Sequence, residues 1–206
     1  MFRPMKTQKV NDNLYVIRTL ISNFYIYNTE KGLIVFDTGI SKQLAKSGFK
    51  RLNLDYTKVS YVFLTHSDFD HVGGLSLFKN SKVFISKKEE PMITGKKARR
   101  GIMYNRKIKN CHFMEDSEAI TIDNLSIKAI SSPGHTVGSA MYVINDSILI
   151  SGDTISLSRS GNVGNFSFVQ NMDHKENIKT VNRLKEEKFF DKMSLIATGH
   201  HGIFIK

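Results

Sequence analysis

The segment Thr65–Gly74 constrains this chain more than any other, because it places four side chains that can bind a metal within six positions. An apolar, β-branched run, Val59–Leu64, precedes it, and two glycines close it. This pattern predicts a buried strand that ends in a loop and continues into a helix. One His-x-Asp alone would indicate a solvated turn, but this crowding favours a site for zinc, iron or manganese. The four candidate ligands are His66, Asp68, Asp70 and His71.

The same arrangement, an apolar run followed by small residues and a potential ligand, occurs three more times. The apolar runs cover residues 125–130, 147–150 and 194–197, and the potential ligands after them are His135, Asp153 and His200. Five of the seven histidines therefore lie in loops that follow predicted strands. Histidines scattered through a core would not be distributed in this way, so these loops are predicted to contribute to one site.

These motifs resemble those of the metallo-β-lactamase-fold hydrolase superfamily, in particular its glyoxalase II-like type. That family carries T-H-x-H-x-D-H-x-G-G, then P-G-H-T, G-D-T and a C-terminal G-H-G. This chain has matching segments in the same order between residues 37 and 202, with Asp37-Thr38-Gly39 as an early D-T-G. The resemblance implies an α/β fold, an αββα sandwich of two mixed β-sheets flanked by helices. It indicates substrate only weakly, because function depends on the site and its surrounding loops.

Carried over position by position, the resemblance implies two divalent metal ions per chain. The first ligand set would be His66, Asp68 and His135, the second Asp70, His71 and His200, with Asp153 as the bridge. In the family pattern Gly directly precedes the last ligand, which favours His200 over its neighbour His201.

One ligand position departs from the family pattern, which has His where this chain has Asp68. A carboxylate is harder than imidazole, so the predicted metals are zinc, or iron or manganese. The flavo-diiron branch also carries a carboxylate at this point, which keeps a diiron redox or oxygen-binding protein as the alternative function. Those proteins usually carry a flavodoxin-like domain, for which 206 residues leave no room. A further possibility is that Asp68 weakens the first ligand set, so that one metal binds well.

The predicted chemistry is hydrolysis of an ester, thioester or phosphoester. A bound divalent ion lowers the pKa of its water from 15.7 to about 7, and two ions ~3.5–4 Å apart can also polarise the scissile oxygen. Asp70 is the candidate catalytic residue, because a carboxylate beside ligand His71 can orient the attacking water as well as bind metal. A role for Asp70 as a ligand alone is equally open.

Residues 156–172 form a Gly-, Ser- and Asn-rich segment that closely follows the G-D-T motif and is predicted to be a loop over the site. Its aromatic residues, Phe166 and Phe168, either line a substrate pocket or fix the loop to the core. His201 is the third substrate-binding candidate, unless it supports a ligand instead. The remaining histidines, His112 and His174, are predicted to be structural or exposed.

The positive charge of the chain, a net +11, is concentrated in the basic stretch, residues 87–109. This stretch holds nine Lys or Arg and two Glu, a surplus of +7, and includes Lys96, Lys97, Arg99 and Arg100. It is interpreted either as a cationic rim that attracts an anionic small-molecule substrate or as ordinary solvated surface. Nucleic acid is a further possible partner, but no nucleic-acid-binding motif accompanies the charge.

Length and composition predict one domain, residues 1–206, with a core drawn from 40% hydrophobic residues. The single cysteine, Cys111, argues against a disulfide framework and predicts a reducing, cytoplasmic location. No secretory signal is visible, and no apolar run approaches the roughly 20 residues that span a bilayer. The sequence does not specify an oligomeric state.

Local patterns predict strands over 13–18, 23–28, 32–37, 61–64 and 82–86, and a helix over 41–54 with Ser41 as N-cap. Residues 74–78 are predicted to start another helix. The second half is predicted to hold two strands within 116–130, a hairpin over 141–150 that turns at Asn145-Asp146, and a helix over 175–190.

Overall fold

The computed structural model describes residues 2–99 and 101–206, and within them two mixed β-sheets pack face to face. In the first sheet the spatial order of the strands is their order in the chain. Its strands are β1 Gln8–Lys9, β2 Leu14–Thr19, β3 Ser22–Thr29, β4 Gly32–Phe36, β5 Val59–Leu64, β6 Lys82–Ser86 and β7 Cys111–Met114. Strands β1 to β4 pair antiparallel, whereas β4 to β7 pair parallel.

The second sheet is built from the C-terminal half of the chain. Its strands are β8 Ala119–Ile122, β9 Leu125–Ser131, β10 Ala140–Ile144, β11 Ile148–Ile150, β14 Leu195–Ala197 and β15 Ile203–Ile205, in the spatial order β15-β14-β11-β10-β9-β8. Only the β11–β14 pair among these described strands is parallel. A separate hairpin joins β12 Ile155–Leu157 to β13 Val163–Asn165.

Two longer helices, α1 Lys42–Arg51 and α4 His174–Glu186, cover the outer faces of the sheets. Two single-turn helices, α2 Phe69–Val72 and α3 Glu90–Ile93, lie in the segments that follow β5 and β6. Ser41 caps α1 by accepting a hydrogen bond from the Leu44 N–H (3.3 Å), and Asp173 caps α4 in the same way. These caps satisfy N–H groups that have no partner within the helix.

Three apolar clusters hold the layers together. Phe49 of α1 packs on the outer face of the first sheet, and Leu184 of α4 packs on the outer face of the second. Between the sheets, Phe63 of β5 contacts Tyr142 of β10 with ring centroids 5.2 Å apart. The order helix, sheet, sheet, helix confirms the predicted αββα sandwich.

The predicted strands agree with the observed ones to within a few residues, and the hairpin turns at Asn145 and Asp146, which both have positive φ. Two predictions were wrong. Residues 74–78 form only the 3₁₀ turn Leu75–Leu77, since Gly74 lies against the Thr38 carbonyl and the chain then leaves for β6. The segment 156–172, predicted to be a loop, contains most of the β12–β13 hairpin.

Strand direction determines where the candidate site forms. The carboxyl ends of β4 and β5 lie at one edge of the first sheet, and those of β9, β11 and β14 lie at one edge of the second. All the candidate metal ligands follow one of these ends. Among residues 2–99 and 101–206, none of the helices combines the length and apolar character that crossing a membrane requires.

Candidate metal centre

Asp37, directly after β4, holds the loop that follows β5. One of its carboxylate oxygens accepts a hydrogen bond from the Thr65 N–H (2.8 Å). The other accepts from the Thr65 hydroxyl (2.8 Å) and from Nδ1 of His71 (2.8 Å). Asp37 is buried, and its φ of 61° lies in the left-handed region, which is uncommon outside glycine. The D-T-G match in the sequence therefore marks a residue that positions the ligand loop.

Three histidines present Nε2 to the interior of the site, because their Nδ1 atoms are already hydrogen-bonded. Nδ1 of His66 lies 3.0 Å from the hydroxyl of the preceding threonine, and Nδ1 of His71 bonds Asp37. Nδ1 of His200 donates to the carbonyl of Ile21 (2.7 Å). Such bonds favour the tautomer with the proton on Nδ1 and leave the Nε2 lone pair free, as a metal ligand requires.

The candidate ligand atoms form overlapping groups. The atoms of each group lie no more than 4.8 Å from one another. These groups are His66, Asp68 and His135; His66, His71 and Asp153; and Asp70, His71 and His200. Two of them coincide with the predicted first and second ligand sets. Asp153 faces both, since its oxygens lie 3.0 Å from Nε2 of His200 and 3.5 Å from Nε2 of His135. This arrangement fits a carboxylate shared by two cation positions.

Unpaired buried atoms provide a test of whether the site fits a metal. Within the described part of the chain, three ligand-type atoms that face this cluster are buried without a hydrogen-bond partner: Nε2 of His66, Nε2 of His71 and Oδ1 of Asp153. Leaving such a group unsatisfied costs about 1–3 kcal/mol. A cation would satisfy both the nitrogen lone pairs and the carboxylate oxygen, and mixed nitrogen and oxygen donors suit zinc, iron and manganese.

Without a metal, four of these groups hold one another in their charged forms, namely Asp70, Asp153, His71 and His200, so a metal would displace the Nε2 protons of the two imidazoles. Burial raises the pKa of Asp153, but His200 and His71 outweigh it and hold that pKa well below its usual range. Burial raises the pKa of Asp70 as well, but the same two imidazoles outweigh it and lower that pKa. Burial lowers the pKa of His71, but Asp153, Asp37 and Asp70 hold it well above its usual value. Burial opposes protonation of His200 too, yet its carboxylate neighbours raise its pKa to about 9.

Asp68 has two partners that were not predicted. Arg99 donates from Nη1 to Oδ2 of Asp68, and the Asn105 side chain donates to Oδ1 (3.1 Å). The second guanidinium nitrogen of Arg99 donates to the carbonyl of Gln170. Arg99 is only 8% exposed, although it belongs to the basic stretch. The interpretation of that stretch as solvated surface is therefore wrong at this residue, and its position relative to the metal loop appears only in three dimensions.

Glu89 joins two ligand loops and was also not predicted. It is fully buried, and its carboxylate accepts from the Ser67 N–H (3.0 Å) and hydroxyl (2.6 Å). It also accepts from the Thr136 hydroxyl (2.7 Å) and the Gly138 N–H (3.0 Å). Burial raises the pKa of Glu89, and these hydrogen bonds oppose the shift. No sequence signal separates Glu89 from Glu90, which is partly exposed.

A pocket of about 440 Å³ opens onto ligands of both sets. Of the predicted substrate-binding residues, none is among the described residues that line it. Phe166 is buried and packs edge-on against His135 (5.0 Å between centroids), so it fixes the segment 156–172 to the site. Phe168 is 72% exposed beside His174, and His201 packs against Phe166. The same segment instead contributes Val169 and Gln170 to the pocket.

The rim of this pocket is largely apolar. Its exposed apolar side chains are Ile21, Phe69, Met103, Tyr104 and Val169, each between 43% and 67% exposed. Arg106 of the basic stretch also lines the pocket, whereas Lys96 and Lys97 are exposed outside its lining. Arg100, which belongs to the predicted cationic rim, lies outside the described residues. The pocket thus combines apolar contact area with a cationic side chain.

The αββα layers and a cluster of His and Asp at the strand ends define a metal-binding α/β protein. The family model of the metallo-beta-lactamase superfamily matches residues 17–200. This chain belongs to the metallo-β-lactamase superfamily, as the motif order predicted.

Two relatives are similar to this chain over most of its length. The probable polyketide biosynthesis zinc-dependent hydrolase PksB of Bacillus subtilis (strain 168) is 29% identical over 157 residues, which cover 74% of this chain and 60% of PksB. The probable metallo-hydrolase MJ0296 of Methanocaldococcus jannaschii is 25% identical over 178 residues, covering 84% of this chain and 73% of that protein. This chain therefore spans less than two thirds of the length of PksB.

A solved structure shows the same fold at lower identity. BJP-1, a subclass B3 metallo-beta-lactamase of Bradyrhizobium japonicum, superposes with a TM-score of 0.74 at 18% identity. The match covers 96% of this chain and 78% of BJP-1. At this identity the likeness extends to the fold alone.

Proposed function

We propose that this protein is a metal-dependent hydrolase that cleaves an ester, thioester or phosphoester of a small anionic substrate. The observation that carries the proposal is the convergence of both ligand sets at the strand ends, with three Nε2 lone pairs directed inward. Metal bound by these residues would supply hydroxide at neutral pH and polarise the scissile oxygen. The naming of PksB as a zinc-dependent hydrolase supports zinc as one candidate metal, beside iron or manganese.

Asp70 is the residue we assign to proton handling. Its carboxylate lines the pocket and lies 3.3 Å from Nε2 of His200, and its lowered pKa keeps it ionised at neutral pH. An ionised carboxylate at this place can accept a proton from the attacking water and orient it, in addition to binding metal. A ligand role alone remains the second assignment for Asp70.

The pocket supports a substrate that is both anionic and partly apolar. Arg106 supplies positive charge, while the five exposed apolar side chains of the rim would contact an acyl or aryl group. The glyoxalase II-like subtype stays a prediction from motif order. The alternative, a diiron redox or oxygen-binding protein, has no comparable support from PksB and MJ0296, which are both named as hydrolases.

Elemental analysis combined with a panel of thioester and phosphodiester substrates tests the proposal. Protein purified without chelator should contain transition metal and hydrolyse at least one member of the panel. His71→Ala should remove most of the metal held by the second ligand set and abolish hydrolysis, because His71 contributes Nε2 to that set. His112→Ala, which alters an exposed residue of β7, serves as the control. Full metal content in His71→Ala would contradict the ligand assignment.

A further inference from the structure

The guanidinium group of Arg99 lies directly beside the first ligand set. Nη1 of Arg99 contacts Oδ2 of Asp68 and lies 3.5 Å from Nε2 of His135. The same Asp68 oxygen lies 3.1 Å from that imidazole nitrogen. The positive charge of Arg99 thus lies against two members of one ligand set. The second ligand set has no such neighbour among the described residues: its Asp70 and His200 contact each other, His71 and Asp153.

Arg99 is held in this position by more than its contact with Asp68. Its backbone N–H donates to the Met103 carbonyl (2.6 Å), and the Met103 N–H donates back (3.0 Å). Its second guanidinium nitrogen donates to the carbonyl of Gln170 in the segment 156–172. The side chain is therefore buried and fixed from two directions, unlike the exposed Lys97 of the same stretch.

We propose that Arg99 acts as the resident cation of the first ligand set and makes the two metal positions unequal. An ion binds tightly at the second ligand set together with Asp153. An ion enters the first set only when Arg99 gives up its contact with Asp68. This inference rests on the proposed metal-dependent function and specifies its regulation: the metal content of the centre depends on one arginine.

The donor atoms of Asp68 explain why the guanidinium and an ion compete. Oδ1 is occupied by Asn105, and Oδ2 is shared by Arg99 and His135. A divalent ion at the first set would need the same Oδ2 and would lie within a few ångströms of the guanidinium. Like charges at this separation repel strongly in a buried site. Arginine stays protonated at all accessible pH values, so loss of a proton cannot relieve the repulsion.

The affinity of each metal position can be measured separately. In this experiment the metal-free protein and a chromophoric chelator compete for Zn²⁺. Wild type should show one tight site and one weaker site, whereas two equal sites would overturn the inference. Arg99→Gln removes the charge and should tighten the weaker site by at least about tenfold, with the tight site unchanged. Arg99→Lys retains the charge and should keep the sites unequal. Lys97→Gln makes the same charge change at an exposed position and should behave as wild type.

Titration of the wild type with Co²⁺ provides a measurement that needs no variant. The visible absorption of Co²⁺ depends on its ligands, so sequential filling should give two distinct spectral phases. A single spectral phase that ends at two equivalents of Co²⁺ would overturn the inference. This result would hold even if Arg99→Gln failed to fold, because the titration uses the wild type. Two equal sites with retained hydrolysis would leave the proposed function intact, whereas failure to bind any metal would reject both proposals.

Discussion

At the scale of single residues, a hydrogen bond at the outer nitrogen orients three of the four candidate imidazole ligands. The Nδ1 atoms of His66, His71 and His200 each bond a different kind of acceptor: a hydroxyl, a carboxylate and a backbone carbonyl. None of these acceptors belongs to another candidate ligand. The three Nε2 atoms are therefore directed inward before any metal binds, which reduces the entropy that metal binding would otherwise lose.

Replacing Asp68, the one carboxylate of the first ligand set, tests which metal that set prefers. Asp68→His should shift metal preference toward zinc and away from manganese or iron, because imidazole is the softer donor. Competition between Zn²⁺ and Mn²⁺, read by elemental analysis after gel filtration, measures the preference. Glu90→Gln, which removes a carboxylate outside the site, is the control. Unchanged selectivity would show that Asp68 does not contact the metal.

His200 predicts how the stability of the metal-free protein depends on pH. Its pKa is raised from 6.5 to about 9 by Asp153 and Asp70, against burial. The stabilisation from the protonated imidazole is therefore fully present below pH 6.5 and lost as pH rises through about 9. By linkage it amounts to about 3 kcal/mol.

Denaturant unfolding of metal-free wild type and His200→Gln at about pH 6 and about pH 9.5 checks this value. The stability difference between the two proteins should shrink at the higher pH. A difference that stays constant across this range would mean that His200 is not protonated in the metal-free protein.

At the scale of elements, the site depends on loops that hold one another. Glu89, at the start of α3, receives hydrogen bonds from Ser67 in one ligand loop and from Thr136 and Gly138 in another. Gly138 cannot carry a side chain there, because a Cβ would lie 2.1 Å from the backbone nitrogen of Glu89. The two loops are thus fixed to each other through one carboxylate.

Glu89→Gln should disturb this junction without changing its size. The amide NH₂ cannot accept from the N–H of Ser67 or of Gly138, so one loop loses its acceptor. We expect the free energy of unfolding to fall by about 1–3 kcal/mol and the affinity of the first ligand set for Zn²⁺ to weaken. Urea denaturation and chelator competition measure the two effects. The adjacent Glu90→Gln is the matched control, and equal behaviour of the two variants would reject the role of Glu89.

The elements whose signals are local could be predicted from the sequence. The strands and caps were predictable because apolar runs and residues such as Ser41 act within a few positions. Short elements were missed: β1, β12, β13 and β15 are each two or three residues long, and sheet pairing rather than composition specifies them. The turn at 75–77 differs from the predicted helix because tertiary packing of Gly74 overrides the local pattern.

The candidate site also has residues that the sequence predicts and residues that it does not. The seven candidate ligands could be read from the sequence because each follows a strand within a short motif. Arg99 and Glu89 could not, since both reach the site through side-chain contacts with residues more than 20 positions away. No local pattern distinguishes them from the other charged residues of the basic stretch. A related reason explains why Phe166 does not line the pocket as a substrate-binding residue. The segment 156–172 folds back as a hairpin, and Phe166 within it is buried.

At the scale of the whole molecule, the basic stretch provides a test of long-range attraction. Lys96 and Lys97 are exposed, whereas Arg99 is buried and paired with Asp68, so steering is assigned to the two lysines. Reversing these two charges should lower kcat/KM for an anionic substrate at low salt and leave kcat almost unchanged. The loss should disappear near 1 M salt, where the Debye length falls to about 3 Å.

Steady-state kinetics across an ionic-strength series, with a neutral substrate as the control, measures this effect. A loss that does not depend on salt would indicate direct contact or local misfolding. No loss with an anionic substrate would identify the exposed part of the stretch as ordinary solvated surface.

Each ligand set takes its members from both sheets: the loop after β5 supplies His66 and His71, and the loops after β9 and β14 supply His135 and His200. An ion bound by either set would therefore be a cross-link between distant points of the chain. In chain-entropy models, a link that closes a loop of about 100 residues destabilises the unfolded ensemble by about 4–5 kcal/mol. The metal would then cross-link the N-terminal and C-terminal halves of the chain. Hydrogen exchange should show the halves opening together with metal bound, and separately once it is removed.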